Sequence, residues 1–325
     1  PLAQLAVRGY RMQLAAADIE GRVLLVNSAD GVVQQTIETG AAVSDLQYSA
    51  DHQKLVASGA DNHLRVYSAA EGELLQDQTA AGPLTAAQFS PDGKEIVTGA
   101  ADGNVAEWAY ASPVAVAEWA GHTGPIYSVA YSSDEKWLAS AAADQSVRVW
   151  NRETGESAQQ LAGHAGAVYS ARFSNDSAQI VTAGVDGTAR IWNAASGAAV
   201  RTIALDLAEG VAPPAFYDAA VSADGQTIAV AGADRKLRLY SSATGKLATA
   251  IDSSDDVVYR IGFLPTGQLM SVGHAGSLSL WNPTDGAQVF TAKAGGVAYS
   301  AVPSPIGKQV AVPCADGKTY LLTIP

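Results

Sequence analysis

The chain is poor in cysteine, in positive charge and in long apolar runs, and each shortage excludes a class of protein. A single cysteine, Cys314, excludes an internal disulfide and any cysteine-based metal site, and reads most simply as a small core residue of a strand. Only 20 Lys and Arg stand against 32 Asp and Glu, a net charge of −12, and the basic residues form no cluster. Nucleic acid and anionic membranes reward clustered cations, so neither is expected as a partner. No stretch of 18 consecutive apolar residues occurs and no basic, apolar leader opens the chain, so neither a membrane span nor an attached signal peptide is expected. The chain begins at Pro1 rather than Met, which points to additional sequence, and additional domains, upstream. No cofactor and no metal is expected, and nothing marks a compartment.

What the chain has is a period. A turn residue recurs at Glu20, Asp61, Asp102, Asp144, Asp186, Asp234, Ala275 and Asp316, at spacings of 41, 41, 42, 42, 48, 41 and 41 residues. Six positions after each comes a large closing residue: Val26, Tyr67, Trp108, Trp150, Trp192, Tyr240, Trp281 and Leu322. A unit of about forty residues cannot bury its own apolar face and must stack on its neighbours. The fourth unit is the clearest. Ile126, Val129 and Tyr131 mark a first β-run (a), Trp137 to Ala139 a second (b), and Val147 and Val149 alternate with Arg148 and Trp150 in a third (c). Thr154-Gly155 then turns the chain into a fourth (d). Four short strands per unit, hairpin connections and no helical period fit the blade of a β-propeller.

Gly121-His122 and Gly163-His164 before run a, the SPDG turn at Ser90 to Gly93, the aspartate column and the tryptophan closing run c together resemble the WD-repeat family of propellers, over the whole chain. The dipeptide that names the family is absent, since Trp150, Trp192 and Trp281 are each followed by Asn. The resemblance implies an all-β, eight-bladed β-propeller of four-stranded antiparallel blades forming one domain, residues 1–325. Blades are expected at about 1–38, 43–79, 84–120, 126–162, 168–204, 216–251, 258–292 and 298–325, the last lacking its outer strand within this chain. That strand would come from upstream of Pro1, or the last blade has three strands; a seven-bladed ring with the first unit displaced is the alternative.

The resemblance further implies a buried hydrogen-bonded chain of His, Ser or Thr, Asp and Trp inside a blade. Carried over by position, this is His122, Ser140, Asp144 and Trp150 in unit four, and His164, Thr182, Asp186 and Trp192 in unit five; only these two sets are complete. Ser, His and Asp in one unit mimic a hydrolase triad, but their order and spacing repeat in adjacent units and no nucleophile elbow is present. They read as structural, and no catalytic residue is expected.

In this family the d–a and b–c connections share one end of the ring, and the second residue of run a points to its central mouth. That column reads Ala3, Ser44, Thr85, Tyr127, Tyr169, Tyr217, Tyr259 and Tyr299. An arc of tyrosines offers contact area with little entropy to lose, and suits a peptide or protein partner. The long 48-residue spacing places an insertion, IALDLAEGVAPPAF, at the same end, stiffened by Pro213-Pro214. Asp206, Glu209, Asp218, Asp255 and Asp256 give that face acidic character, which fits a basic segment of a partner. His274, just before the turn position of unit seven, is expected there too. Glu107 occupies a run-c position held elsewhere by Leu, Val or Ile, and a buried lone carboxylate is costly, so a local bulge or solvent access is expected.

The leading expectation is therefore a non-enzymatic protein- or peptide-binding scaffold using the top face around blades four to eight. The alternatives are a structural module of a larger polypeptide whose other domain carries the activity, and a quinone-cofactor propeller enzyme. The last resembles this chain in the turns Thr154-Gly155 and Thr244-Gly245, but its Trp follows that turn, whereas Trp150 precedes it.

Overall fold

A computed structural model describes residues 2–8, 13–18, 21–27, 33–110, 112, 114–253, 257–264, 266–273, 277–293, 302–303, 309–313 and 319–323. Cys314 lies outside them. These residues form antiparallel sheets whose strands pair in chain order: seven sheets of four strands, and one of three made from Val302–Pro303, Gln309–Pro313 and Thr319–Thr323. No helix occurs among them. The architecture is all-β, with four-stranded sheets like the blades of a propeller.

Unit four shows why the sequence folds this way. Its strands are Ile126–Tyr131 (a), Trp137–Ala142 (b), Val147–Asn151 (c) and Ser157–Leu161 (d). Between a and b, Ser132 donates its hydroxyl to Asp134 at 2.6 Å and accepts the Trp137 N–H at 3.0 Å, so two short side chains close the turn. Strand b is rich in Ala and Ser and is buried on both faces, as are its equivalents in neighbouring units. Small residues there let two adjacent sheets approach. Strand d is mostly exposed. The core thus lies between sheets, where Trp150 stacks on Trp119 of the preceding unit with centroids 6.2 Å apart.

Each complete unit carries two register shifts. One falls between the first and third residues of strand a, as at Ile126/Ser128, Val168/Ser170 and Phe216/Asp218, so the strand register skips the second residue. The other falls in the c–d pairing, as at Val149/Trp150 and Ile191/Trp192. Consecutive inner strands pack side by side from unit one to unit seven, and the unit-one inner strand, Leu2–Arg8, also packs on Val302–Pro303 and Gln309–Pro313 of the last sheet.

Polar links join neighbours at the periphery. One position of strand d reaches the c–d turn of the next unit: Gln35 Nε2 to the Glu71 carbonyl, Gln76 Nε2 to that of Ser112 at 2.6 Å, Gln159 Nε2 to that of Ala195 at 3.1 Å, and Arg201 Nη2 to that of Ala243 at 2.7 Å. In unit three this position is Ala117, too short to reach, and its cross-strand partner is Glu107. Arg152, from the c–d turn of unit four, donates Nε to Glu107 Oε1 at 2.7 Å, and the Tyr131 hydroxyl donates to the same oxygen at 2.9 Å.

The expected local bulge is present beside Glu107, but it is not what satisfies the carboxylate. Glu107 is only 5 % exposed, and the register shift beside it occurs in every complete unit, so neither solvent nor a special bulge relieves it. A cation and a hydroxyl from the next unit do. Burial and the adjacent carboxylate push the Tyr131 hydroxyl pKa up, so it remains a donor. Glu107→Ala would remove the acceptor of the buried Tyr131 hydroxyl and the nearest carboxylate of Arg152, which keeps Glu95 at 3.4 Å and the Glu135 carbonyl at 2.8 Å, and is expected to lower unfolding free energy by about 2 kcal/mol in urea titration, whereas Glu107→Gln, which can still accept from both, loses less.

Candidate functional site

The aspartate column is tied into its blades in two ways. In unit four, His122 Nδ1 lies 3.0 Å from Asp144 Oδ2, His122 Nε2 lies 2.8 Å from Ser140 Oγ, and Trp150 Nε1 donates to Ser140 Oγ at 2.9 Å. Unit five repeats this through His164 to Asp186 at 3.0 Å, His164 to Thr182 at 2.8 Å, and Trp192 to Thr182 at 3.1 Å. A neutral imidazole with Nδ1–H aimed at the carboxylate satisfies every member: Nε2 accepts the hydroxyl proton, and the hydroxyl oxygen accepts the indole N–H. Each hydroxyl is thereby committed at both ends, and none is left free to act as a nucleophile.

Units two and six lack the histidine and close on tyrosine. There an arginine four residues on takes over, Arg65 Nη2 reaching Asp61 at 2.6 Å and Arg238 Nη1 reaching Asp234 at 3.2 Å. Among the described residues, units three and seven show the indole link, Trp108 to Thr98 at 2.9 Å and Trp281 to Ser271 at 2.8 Å. The arginine route went unread in the sequence, although Arg two residues before the closing Tyr marks it.

At the end of the sheets that carries the b–c turns and d–a loops, the second residue of strand a, which the register skips, is turned out of the ladder, as bulges do. In units four to seven this residue is tyrosine, and the rings meet in series. Tyr127 and Tyr169 have centroids 5.1 Å apart, Tyr169 and Tyr217 5.5 Å, and Tyr217 and Tyr259 5.1 Å, each pair tilted by 47–50°. Tyr127 is 41 % exposed and the other three are half-buried. Burial, together with its two tyrosine neighbours, raises the Tyr169 pKa, so its hydroxyl stays protonated.

Asp206 and Glu209 are exposed in the inserted loop. Asp218 is not part of an acidic surface: it is fully buried and accepts from Ser170 Oγ at 2.8 Å, Arg172 Nη2 at 2.7 Å and the Ile261 N–H at 3.1 Å. The reason is geometric. It follows the bulged residue and so points back between the inner strands of units five, six and seven, stitching them beneath the tyrosines. Tyr299, Asp255, Asp256 and His274 lie outside the described residues. At the opposite end, a groove of about 600 Å³ between units five and six is lined by Ser174, Asn175, Asp176 and Asp224 among others. Its two carboxylates already accept bonds within their own turns. Among the described residues no three His, Cys, Asp or Glu side chains converge as a metal site would need.

The His122 link and the two aspartates make stability depend on pH. Burial pushes the His122 pKa down, against the opposing pull of Asp144, below the unfolded value of about 6.5. Its contribution is full above that value and lost as the pH falls below it, because the unfolded chain then binds the extra proton. Burial alone would raise the Asp144 and Asp186 carboxyls. Hydrogen bonds from Thr123 N–H, Ser146 and His122 outweigh it at Asp144, and those from His164, Ala165 N–H and Thr188 at Asp186, and hold both below the ordinary range. Their contribution is full above about pH 3.9 and lost as the pH falls through the lower folded values. Urea unfolding is therefore expected to show declining stability from pH 7 to pH 5, a decline reduced by His122→Gln, with a further fall below pH 4.

The family described as WD domain, G-beta repeat matches this chain at residues 31–68, 72–108, 113–151 and 155–193. Each matched stretch opens at strand d of one sheet and ends in strand c of the next, so one sequence repeat straddles two sheets and ties them covalently. No curated protein matches the chain. Four successive matches over residues 31–193, coinciding with stacked four-stranded sheets and the His–Ser/Thr–Asp–Trp links, place the chain in the WD-repeat family.

Proposed function

We propose that this protein is a non-enzymatic docking platform that binds a protein or peptide on the tyrosine-bearing face of an eight-bladed ring. WD40 repeats generally mediate protein–protein interaction and are typically non-enzymatic. The observation that carries the specific reading is the run of four tyrosine rings in mutual contact, lifted out of the strand ladder by bulges. Rigid aromatic side chains with two rotatable bonds lose little freedom on binding and recur as interface anchors. Eight blades are favoured by eight sheets in chain order and by the packing of the first inner strand on the last sheet, which has three strands among the described residues. A basic partner segment is favoured by the net charge of −12 and by exposed Asp206 and Glu209.

The test is an affinity capture with the intact chain and with Tyr169→Ala/Tyr217→Ala. The double variant is expected to keep its thermal midpoint within a few degrees while its affinity for the captured protein falls at least tenfold. Equal affinity in both forms would remove the tyrosine arc as the docking surface.

A further inference from the structure

Strand ends at the tyrosine face normally carry small residues. The position just before the turn residue is alanine in five units, at Ala60, Ala101, Ala143, Ala233 and Ala315, but isoleucine in unit one (Ile19), histidine in unit seven (His274) and valine in unit five, where Val185 is 40 % exposed. The inserted loop between units five and six adds Leu207 and Val211, 39 % and 54 % exposed. Apart from Tyr127 these are the only exposed large apolar side chains at this end among the described residues; the others lie on or beside outer strands around the perimeter. Exposed aliphatic groups on the b–c turn of unit five and on the loop that leaves this unit, at the end that carries the tyrosines, favour a contact surface over scatter.

The loop is also held in place. A Cβ on Gly187 would lie 2.5 Å from Pro213 Cβ and 2.7 Å from the Pro214 carbonyl. Units two, four and six accept Asn62, Gln145 and Arg235 at this left-handed turn position, so the backbone conformation alone does not demand glycine in unit five. The docked Pro-Pro segment does. The Val211 N–H closes a turn on the Ala208 carbonyl at 3.1 Å, with Gly210 in the left-handed region at its apex. A pinned loop presents Leu207 and Val211 with part of their ordering already complete, which favours binding. Acid and aliphatic residues alternate along it: Asp206, Leu207, Glu209, Val211.

We infer that the top of unit five, made of Val185, Leu207 and Val211 and edged by Asp206 and Glu209, is a second contact for the docked partner, and that it takes a segment pairing Lys or Arg with aliphatic residues. This rests on the tyrosine arc being the primary docking surface. The partner then runs outward from the tyrosines across unit five, seating aliphatic side chains on the loop while its cations face the carboxylates.

The full chain, immobilised, is panned with a phage-displayed library of random dodecapeptides, and enriched peptides are titrated by fluorescence anisotropy against four forms. These are Tyr169→Ala, Val185→Ala, Leu207→Ser/Val211→Ser and Asp206→Lys/Glu209→Lys. All alter exposed or half-buried side chains, and Val185→Ala installs the residue that neighbouring units carry. Enriched peptides are expected to combine Lys or Arg with aliphatic residues. They should bind at least fivefold more weakly to each loop variant, and more weakly to Tyr169→Ala. Loss with Tyr169→Ala but full affinity for the three unit-five variants overturns this inference and leaves the tyrosine reading standing. Loss confined to the unit-five variants overturns the tyrosine reading. Enrichment of acidic peptides, or of none that responds to the loop, also overturns the inference.

Discussion

Strand b of units two to seven buries both of its faces, and a single sheet can cover neither. That one constraint requires a neighbour on either side, and it accounts for the small residues of strand b, for the tryptophans that fill the space between sheets, and for a sequence repeat that straddles two sheets. It also makes the polar links between units matter. A Gln or Arg on strand d reaches over the next turn in four units, and where Ala117 cannot, the buried Glu107 and Arg152 make the joint from the adjacent strand. The ion pair belongs to the packing of two units, which is why neither residue makes sense when its own unit is considered alone.

The same division of labour separates scaffold from surface. Histidine, serine or threonine, aspartate and tryptophan consume one another's hydrogen-bonding capacity in units four and five, and arginine does similar work on the aspartates of units two and six. Beneath the tyrosines, Asp218 joins three inner strands through side-chain and backbone donors. With these polar groups satisfied inside, the proposed docking surface falls to the side chains that the bulges and the inserted loop turn outward.

Much of this was legible from periodicity. The turn and closing columns located four strands per unit, and the tyrosine column followed from counting within strand a. Periodicity gives side-chain direction only while the ladder stays regular. The bulge after the first residue of strand a sends Tyr217 outward and Asp218 inward, so a carboxylate that reads as surface beside an exposed tyrosine is buried. Glu107 failed for a different reason, because its partner lies 45 residues away in another unit and no spacing rule connects them. The exposed Val185 was visible as a departure from alanine in its column, yet its meaning depended on the neighbouring loop being pinned by Pro213 against Gly187.

The central claim is that partners meet the protein at the tyrosine end of units four to six. Hydrogen exchange followed by mass spectrometry on the full chain, free and bound to the protein it captures, tests this most directly. The account predicts added protection at the starts of strands Ile126–Tyr131, Val168–Phe173 and Phe216–Val221 and across residues 205–212, with outer strands unchanged. Protection confined to outer strands, or to the a–b and c–d turns of the opposite end, would contradict it.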